Sequence, residues 1–439
     1  MQFPKDILSL ALLVIVSFGL ISCTTPPDSD YARLRAHDSA DLAVHTEYMG
    51  EQGEIITGQP FIKGNAVKLL RDGNETFPAM LASIRHAKHY IYMESFTFDA
   101  KAGQKFADAL IQRRKAGVKV DLIYDAFGSS DTPPGVFDNL RQHGITLTEY
   151  NPIDPIDIID GDANNRDHRK ILIVDGREVF VGGVNISAVY LLKKSVRRFF
   201  KDGDADAYQH LPWRDTHVKI RGPSIDQFIQ IFKQTWIDQH GDEKALSSFP
   251  TDQHRRGDIS VEAIYGAPQS EVFDTHQSLL MAITLAQHTI EITTGYFVPT
   301  PSIKEALVNA AMRGVDVKLL LPSTSDSELA LEAGHANYAD LLEAGVKIYE
   351  FQGEVLHAKT AVIDGTWSAV GSSNVDWRSA ALNNECNAII LGPRFGGQLD
   401  AMFKDDLLKS KQITAEDWSE RSIGERLHEF KASLIEYFL

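Results

Sequence analysis

The chain has 439 residues, of which 43% are hydrophobic and 24% charged, with a formal net charge of −16 and a pI near 5.4. That is enough apolar chain for two domains, or one large duplicated one, around a sizeable core. The acidic balance argues against a nucleic-acid groove as the main working surface, since phosphate binding is carried largely by Lys and Arg, and two cysteines exclude a disulfide framework or a Cys-based metal centre.

The chain opens with Lys5 and an apolar run, Ile7 to Ile21, interrupted only by small residues. Its length suits the core of a signal peptide and is short for a membrane-spanning helix. The run ends in Leu20-Ile21-Ser22-Cys23, which resembles the bacterial lipobox, where the cysteine is acylated and becomes the mature N-terminus. Residues 1–22 are therefore expected to be a lipoprotein signal peptide, with Cys23 as the lipidation site. Residues 23–55 read as a polar tether opening on Thr24-Thr25-Pro26-Pro27. A plain apolar anchor with an incidental cysteine is the alternative. The lipobox implies a lipid-anchored protein of the cell envelope, and Thr24 after the cysteine implies the outer membrane in a Gram-negative cell.

Beyond the tether the chain repeats itself. Ala87-Lys88-His89-Tyr90-Ile91 recurs as Ala286-Gln287-His288-Thr289-Ile290, and Gly117-Val118-Lys119-Val120-Asp121-Leu122 recurs as Gly314-Val315-Asp316-Val317-Lys318-Leu319. In the first repeat, 56–250, helices are expected at 77–88 and 103–116 and strands at 89–98 and 118–124. In the second, 251–439, helices are expected at 274–287 and 301–313 and strands at 289–296 and 315–321. The alternation predicts an α/β fold with a largely buried sheet. A period near 200 residues is a domain duplication, not a solenoid. Two duplicated α/β domains related by a pseudo-two-fold axis can share one central active site.

The most similar part of the repeat carries the chemistry. His168-Arg169-Lys170 is followed by Asp175-Gly176, and His357-Ala358-Lys359 by Asp364-Gly365; in both copies Asp lies seven residues after His, Gly (Gly182, Gly371) fourteen after, and Asn (Asn185, Asn374) seventeen after. His and Lys two apart on a strand point to one face. Asp-Gly is a strong hairpin signal, so Asp175 and Asp364 read as turn residues that hold the motif rather than meet the substrate. The returning strand reaches a Gly-rich corner that brings the Asn near the His. One His on a strand would read as packed core. Two copies in one register do not, because packing does not call for a buried Lys, whereas a bound phosphate does. A second pair, Asp215 and Glu385, each precedes Gly-Pro by seven residues. At the head of a core strand either carboxylate can fix an imidazole tautomer and stabilise the imidazolium. The competing reading is a strand-end salt bridge, for instance to Arg214.

Paired His-x-Lys-x4-Asp motifs with a Gly-rich corner and Asn resemble the phospholipase D superfamily over about residues 56–439. Arg166-Asp167-His168-Arg169-Lys170, Trp213-Arg214-Asp215-Thr216-His217-Val218, Gly295-Tyr296-Phe297-Val298-Pro299 and Gly371-Ser372-Ser373-Asn374-Val375-Asp376-Trp377-Arg378-Ser379 resemble bacterial cardiolipin synthases within it. The resemblance implies two phospholipase D-like domains and a phosphatidyl group held on one His and passed to an alcohol. The expected catalytic set is His168, Lys170, Asn185, Asp215, His357, Lys359, Asn374 and Glu385. The lysines and amides neutralise the phosphate oxygens, so no metal and no cofactor is expected. Symmetry leaves open which His attacks; analogy with the family implies His168 as nucleophile and His357 as acid and base. The substrate expected is a phospholipid, phosphatidylglycerol, converted to cardiolipin. A phospholipase D hydrolase releasing phosphatidic acid uses the same residues, and a phosphodiester nuclease is opposed by the net charge.

The first repeat is longer between its Asn and its acid. His168 to Asp215 is 47 residues and His357 to Glu385 is 28. Read as a helix, the insert puts Lys193, Lys194, Arg197, Arg198 and Lys201 on one side and Leu192, Val196, Phe199 and Phe200 on the other. That pattern fits either an interfacial helix on an anionic membrane or a packed helix with a solvated basic face.

Overall fold

The structure is a computed structural model that describes residues 28–152, 164–192, 211–239, 246, 251–268, 271–422, 424 and 431–432. Cys23 and the basic cluster Lys193, Lys194, Arg197, Arg198 and Lys201 lie outside the described residues. Among the described residues no helix is long and apolar enough to cross a membrane.

The stretch expected to be a polar tether is helical from its sixth residue, as α1 (Asp28–Thr57). The part of this helix from Thr46 onward belongs to the unit Thr46–Leu439, which holds both repeats. Its last turns are anchored there: Met49 is fully buried in the core of the second repeat, and the Thr57 hydroxyl donates to Glu262.

Each repeat is built from the elements its sequence predicts. In the first, β1 (Ile62–Arg71) leads to α2 (Asp72–His86), β2 (Tyr90–Ser95), α3 (Ala100–Lys115), β3 (Lys119–Asp125), α4 (Pro134–Gln142), β4 (Thr146–Tyr150), β5 (Lys170–Val174), β6 (Glu178–Gly182), β7 (Thr216–Arg221) and α5 (Ile225–Asp238). In the second, β8 (Ile259–Ala267) leads to α6 (Asp274–Leu285), β9 (Thr289–Thr293), α7 (Pro301–Met312), β10 (Asp316–Pro322), β11 (Lys347–Phe351), β12 (Thr360–Ile363), β13 (Trp367–Gly371), β14 (Asn383–Leu391), α8 (Pro393–Leu407) and β15 (Ser410–Ile413). The twin helices α3 and α7 start the same way. Asp99 accepts from the backbone N–H of Lys101 and Ala102, and Thr300 accepts from Ile303 with Pro301 in the first turn.

The strands pair in the order β4-β3-β2-β5-β6-β7-β1, then β8-β14-β13-β12-β9-β10-β11-β15. Read outward from the β1–β8 join, the two halves are the same list, with β15 added at one edge. β2-β3-β4 and β9-β10-β11 are parallel, while the motif strands and the edge strand β15 are antiparallel, so the sheets are mixed. The join is a register shift: Ile62, Lys63 and Asn65 pair with β8, and Ala66 onward pairs with β7. The inner strands also pack face to face, with Val179, Val181, Val218 and Ile220 against Val362, Val370, Ala388 and Ile390 in one cluster. The two repeats thus share a core.

Asp175 and Asp364 sit at the first corner of their hairpins with φ of 52° and 51°, followed by Gly176 and Gly365 at 57° and 64°. Both central residues are left-handed, the Arg177 and Thr366 N–H groups close the turns onto the Val174 and Ile363 carbonyls, and three residues separate the paired strand ends. Each carboxylate also accepts three backbone N–H groups, from Lys88, His89 and Tyr90 in one repeat and from Gln287, His288 and Thr289 in the other. The turn is thereby tied to the strand beside it. Asp175→Ala or Asp364→Ala leaves these donors unpaired and should destabilise the fold by about 2–4 kcal/mol, read as a lowered urea midpoint for either variant.

Candidate active site

β5 and β12 carry the two His-x-Lys motifs to the boundary between repeats, and two short parallel stitches hold them there. Arg166-Asp167 pairs with Asn383-Asn384, and Trp213-Arg214 with Val355-Leu356. As a result the His168 N–H donates to the Asn384 carbonyl at 2.9 Å, and the His357 N–H to the Arg214 carbonyl at 2.8 Å. These are equivalent bonds exchanged across the axis.

The side chains exchange in the same way. Glu385 of the second repeat takes His168 Nδ1 of the first, with Oε1 at 3.0 Å and Oε2 at 3.2 Å. Asp215 of the first repeat takes His357 Nδ1 of the second, with Oδ2 at 2.7 Å. Both carboxylates are fully buried. Arg214, the salt-bridge partner considered for Asp215, sends its guanidinium to Asp406 and Asp72 instead. The rings of His168 and His357 lie 6.4 Å apart between centroids, inclined at 74°. With Nδ1 of each ring occupied, Nε2 is the nitrogen left for chemistry.

Lys170 and Lys359 fold back in matching fashion, each ammonium donating to the carbonyl of its own motif His. Asn185 and Asn374 follow on the Gly-rich corners. Asn185 Oδ1 accepts from the Thr97 N–H, and Asn374 Oδ1 is buried with no hydrogen-bond partner. The corner needs glycine because the chain passes so close: a Cβ at Gly182 would lie 2.6 Å from His217, and one at Gly371 would lie 1.8 Å from Asn387.

Several residues that bear on the site were not singled out from sequence. Ser372 and Ser379 both donate to Glu385, Ser379 at 2.7 Å. Gly183 and Tyr190 occupy the twin positions in the first repeat; there a Cβ would collide with Asp215, and the Tyr190 hydroxyl sits 3.1 Å from His357 Nδ1. Phe96 packs 5.2 Å from His168, and Trp213 packs 4.9 Å from His357. Ser372, Ser379 and Trp213 fall within the family-like stretches. The signal for Tyr190 and Ser379 is positional, since each lies five residues after its Asn.

Burial dominates the electrostatics. Burial and the Lys170 ammonium hold His168 down to about 4, and burial with Lys359 and Lys170 holds His357 well below its ordinary value. Burial brings Lys170 down to about 7, against the pull of Glu385, and Lys359 to about 8, against Asp215. The two acids diverge. Burial pushes both up, but His168, Lys170 and Ser372 bring Glu385 down to about 2, while Lys359 and the Thr216 N–H leave Asp215 raised. The centre is thus a pair of neutral imidazoles under two ammonium groups weakened by burial, a setting that an anion relieves.

A duplicated α/β fold with two His-x-Lys motifs meeting at one centre defines a phospholipase D-superfamily enzyme. The family described as "Cardiolipin synthase, PLD-like domain" matches residues 80–195 and 279–407, and the chain belongs to it. It is 35% identical to a cardiolipin synthase 2 of Bacillus cereus over 366 residues, 82% of this chain and 68% of that protein. It is 33% identical to a cardiolipin synthase of Geobacillus over 403 residues, 91% of this chain and 78% of that one. Its fold is similar to that of a phosphatidylserine synthase from Haemophilus influenzae, with a TM-score of 0.67, 15% identity, and coverage of 89% of this chain and all of the other.

An anion at this centre should bind with proton uptake. Because the lysines lose their protons from about pH 7 to 8, the affinity for sulfate, which does not titrate in that range, should fall as pH rises through it. The fall is up to about tenfold per pH unit for each proton taken up, measurable by calorimetric titration. Flat affinity from pH 6 to 9 would mean the ammonium groups do not meet the anion.

Proposed function

We propose that this protein is a phosphatidyltransferase that forms cardiolipin from phosphatidylglycerol through a phosphohistidine. The observation that carries the reading is the pair of imidazoles 6.4 Å apart, each held at Nδ1 by the other repeat's carboxylate, in a chain of the cardiolipin synthase family.

In this reading Lys170, Lys359, Asn185 and Asn374 hold the non-bridging oxygens of a phosphodiester. His168, neutral and donating Nδ1–H to Glu385, attacks phosphorus through Nε2. The phosphorus–oxygen bond to glycerol breaks, and His357 gives the departing oxygen its proton. A second phosphatidylglycerol then enters, His357 takes the proton from its hydroxyl, and the oxygen displaces His168 from phosphorus. The phosphodiester's negative charge offsets the two ammonium groups and lets His357 carry the proton that burial and the lysines otherwise disfavour.

The unequal surroundings of the two acids support His168 as the nucleophile. It gains positive charge on phosphorylation, so it needs a firmly ionised partner, and Glu385 with two serine donors is that partner. The acid must release its proton, which suits His357, whose Nδ1 is shared between Asp215 and the neutral phenol of Tyr190. Hydrolysis to phosphatidic acid uses the same residues with water as acceptor.

His168→Ala should abolish turnover, at least about 10⁴-fold below the parent, as expected for loss of a nucleophile. His357→Ala should slow it severely and accumulate phosphoenzyme on His168. Incubation with phosphatidylglycerol vesicles, with lipids resolved by mass spectrometry, separates the reactions: cardiolipin plus glycerol identifies the transferase, phosphatidic acid the hydrolase. Full activity in either variant rejects this mechanism.

We further propose, from the lipobox Leu20-Ile21-Ser22-Cys23, that the enzyme is tethered to a membrane of the cell envelope through acylated Cys23, on the outer membrane in a Gram-negative cell. Lys193, Lys194, Arg197, Arg198 and Lys201 would face the anionic surface and offset the long-range repulsion due to a net charge of −16. Cys23→Ala should yield unprocessed or soluble protein on fractionation; equal processing and the same pellet for both proteins would reject the anchor.

A further inference from the structure

Behind Lys359 and Asn374 the second repeat contains a cavity between its sheet and helices α6 and α7. The strand register orders its wall. Ile292, Ala361, Ala369 and Ile389 pair consecutively across β9, β12, β13 and β14 and form one apolar row. Nearer the catalytic centre, Lys359 precedes this row on β12, and Asn387 lies across from Gly371. On the far side Trp367 pairs with Ile363, and the buried indole forms the floor. The helix wall adds Leu279 and Ile303, and Thr300, whose hydroxyl caps α7.

The first repeat supplies an internal comparison. Its equivalent row is Met93, Leu172, Phe180 and Lys219, paired across β2, β5, β6 and β7 in the same way. Leu172 and Phe180 are fully buried and stand where the second repeat has Ala361 and Ala369. The cavity therefore exists because two bulky core side chains are absent from one copy of a duplicated sheet. A well-packed interior does not leave such space without consequence, since voids of this kind cost stability.

We propose that this cavity is an acyl-chain slot, taking the apolar chain of the phospholipid whose phosphate is held by Lys359 and Asn374. The inference rests on the reading that the site handles a phosphatidyl group. The two ends of the cavity match the two ends of such a ligand, with cationic and amide groups at the mouth and an apolar row and indole beyond. Thr275, His276, Thr293 and Asp376 also line the cavity, but along the row Ile292, Ala361, Ala369 and Ile389 a hydrocarbon chain gains about fourfold in affinity for each methylene buried.

Copying the first repeat into the second fills the slot without touching the catalytic groups. Ala369→Phe does so, and Ala361→Leu is the smaller change should the first disturb folding; a thermal melt checks both. The parent and both variants are assayed on bis(p-nitrophenyl) phosphate and on dihexanoyl, dioctanoyl and didecanoyl phosphatidylglycerol in mixed micelles. The slot predicts that kcat/KM rises with chain length in the parent. In the variants it should become nearly independent of length, at least tenfold below the parent for the longest chain, with the soluble diester unchanged within about twofold. Parallel chain-length series in parent and variants overturn the slot. An equal loss on every substrate, the soluble diester included, overturns it in favour of a polyol or water site. A parent that cleaves the soluble diester but no phosphatidylglycerol rejects the underlying reading of the site, and the slot with it.

Discussion

Each catalytic imidazole takes its carboxylate from the other half of the chain. Asp215 and Glu385 are fully buried, and a buried carboxylate without a partner is costly. Separating the repeats would strand both acids and both rings at once. The exchange therefore ties folding to chemistry: the bonds that complete the core also orient the imidazoles and fix which nitrogen remains for phosphorus. Arg169 strengthens the tie from the opposite face, donating from a fully buried guanidinium to the carbonyls of Glu385 and Gly266. Its twin is Ala358, so even this strut is one-sided.

Departures from symmetry at the site are few and functional in character. The fold copies the backbone closely, down to paired stitches and matched Asp-Gly turns. What differs is small: serine against glycine and tyrosine beside the acids, and alanine against leucine and phenylalanine under the lysines. The first difference gives two chemically identical rings unequal surroundings, because an ionised, doubly supported carboxylate stabilises a cation better than one shared with a phenol. The second opens space in one repeat only. Duplication supplies two equal half-sites, and a reaction with an attacking and a leaving side requires that they cease to be equal.

Charge is distributed on two scales. The molecule as a whole is strongly acidic, yet its centre gathers two ammonium groups around two neutral imidazoles. Surface charge is screened by salt over roughly 8–10 Å, whereas the buried ammonium groups act in a medium that screens them poorly. A phosphodiester therefore meets local attraction inside a protein whose exterior repels anions.

Much of this was legible in the sequence, because it depends on spacing along the chain. Equal intervals of seven, fourteen and seventeen residues in two copies of the motif can arise only if the same strand–turn–strand is built twice. The turn role of Asp175 and Asp364 follows from Asp-Gly alone. The paired helices and strands of both repeats follow from apolar periodicity. Residues 28–55, read from sequence as part of a polar tether, lie in α1, whose apolar residues are spread around the helix and form no amphipathic stripe. Other properties required the tertiary structure, since they depend on residues far apart in the chain meeting in space. Nothing local says that Glu385 serves His168, 217 residues away, and not the His357 of its own repeat. Nor does spacing reveal that Tyr190 reaches His357, or that two alanines on neighbouring strands leave a cavity, because a void is defined by every neighbour that fails to fill it.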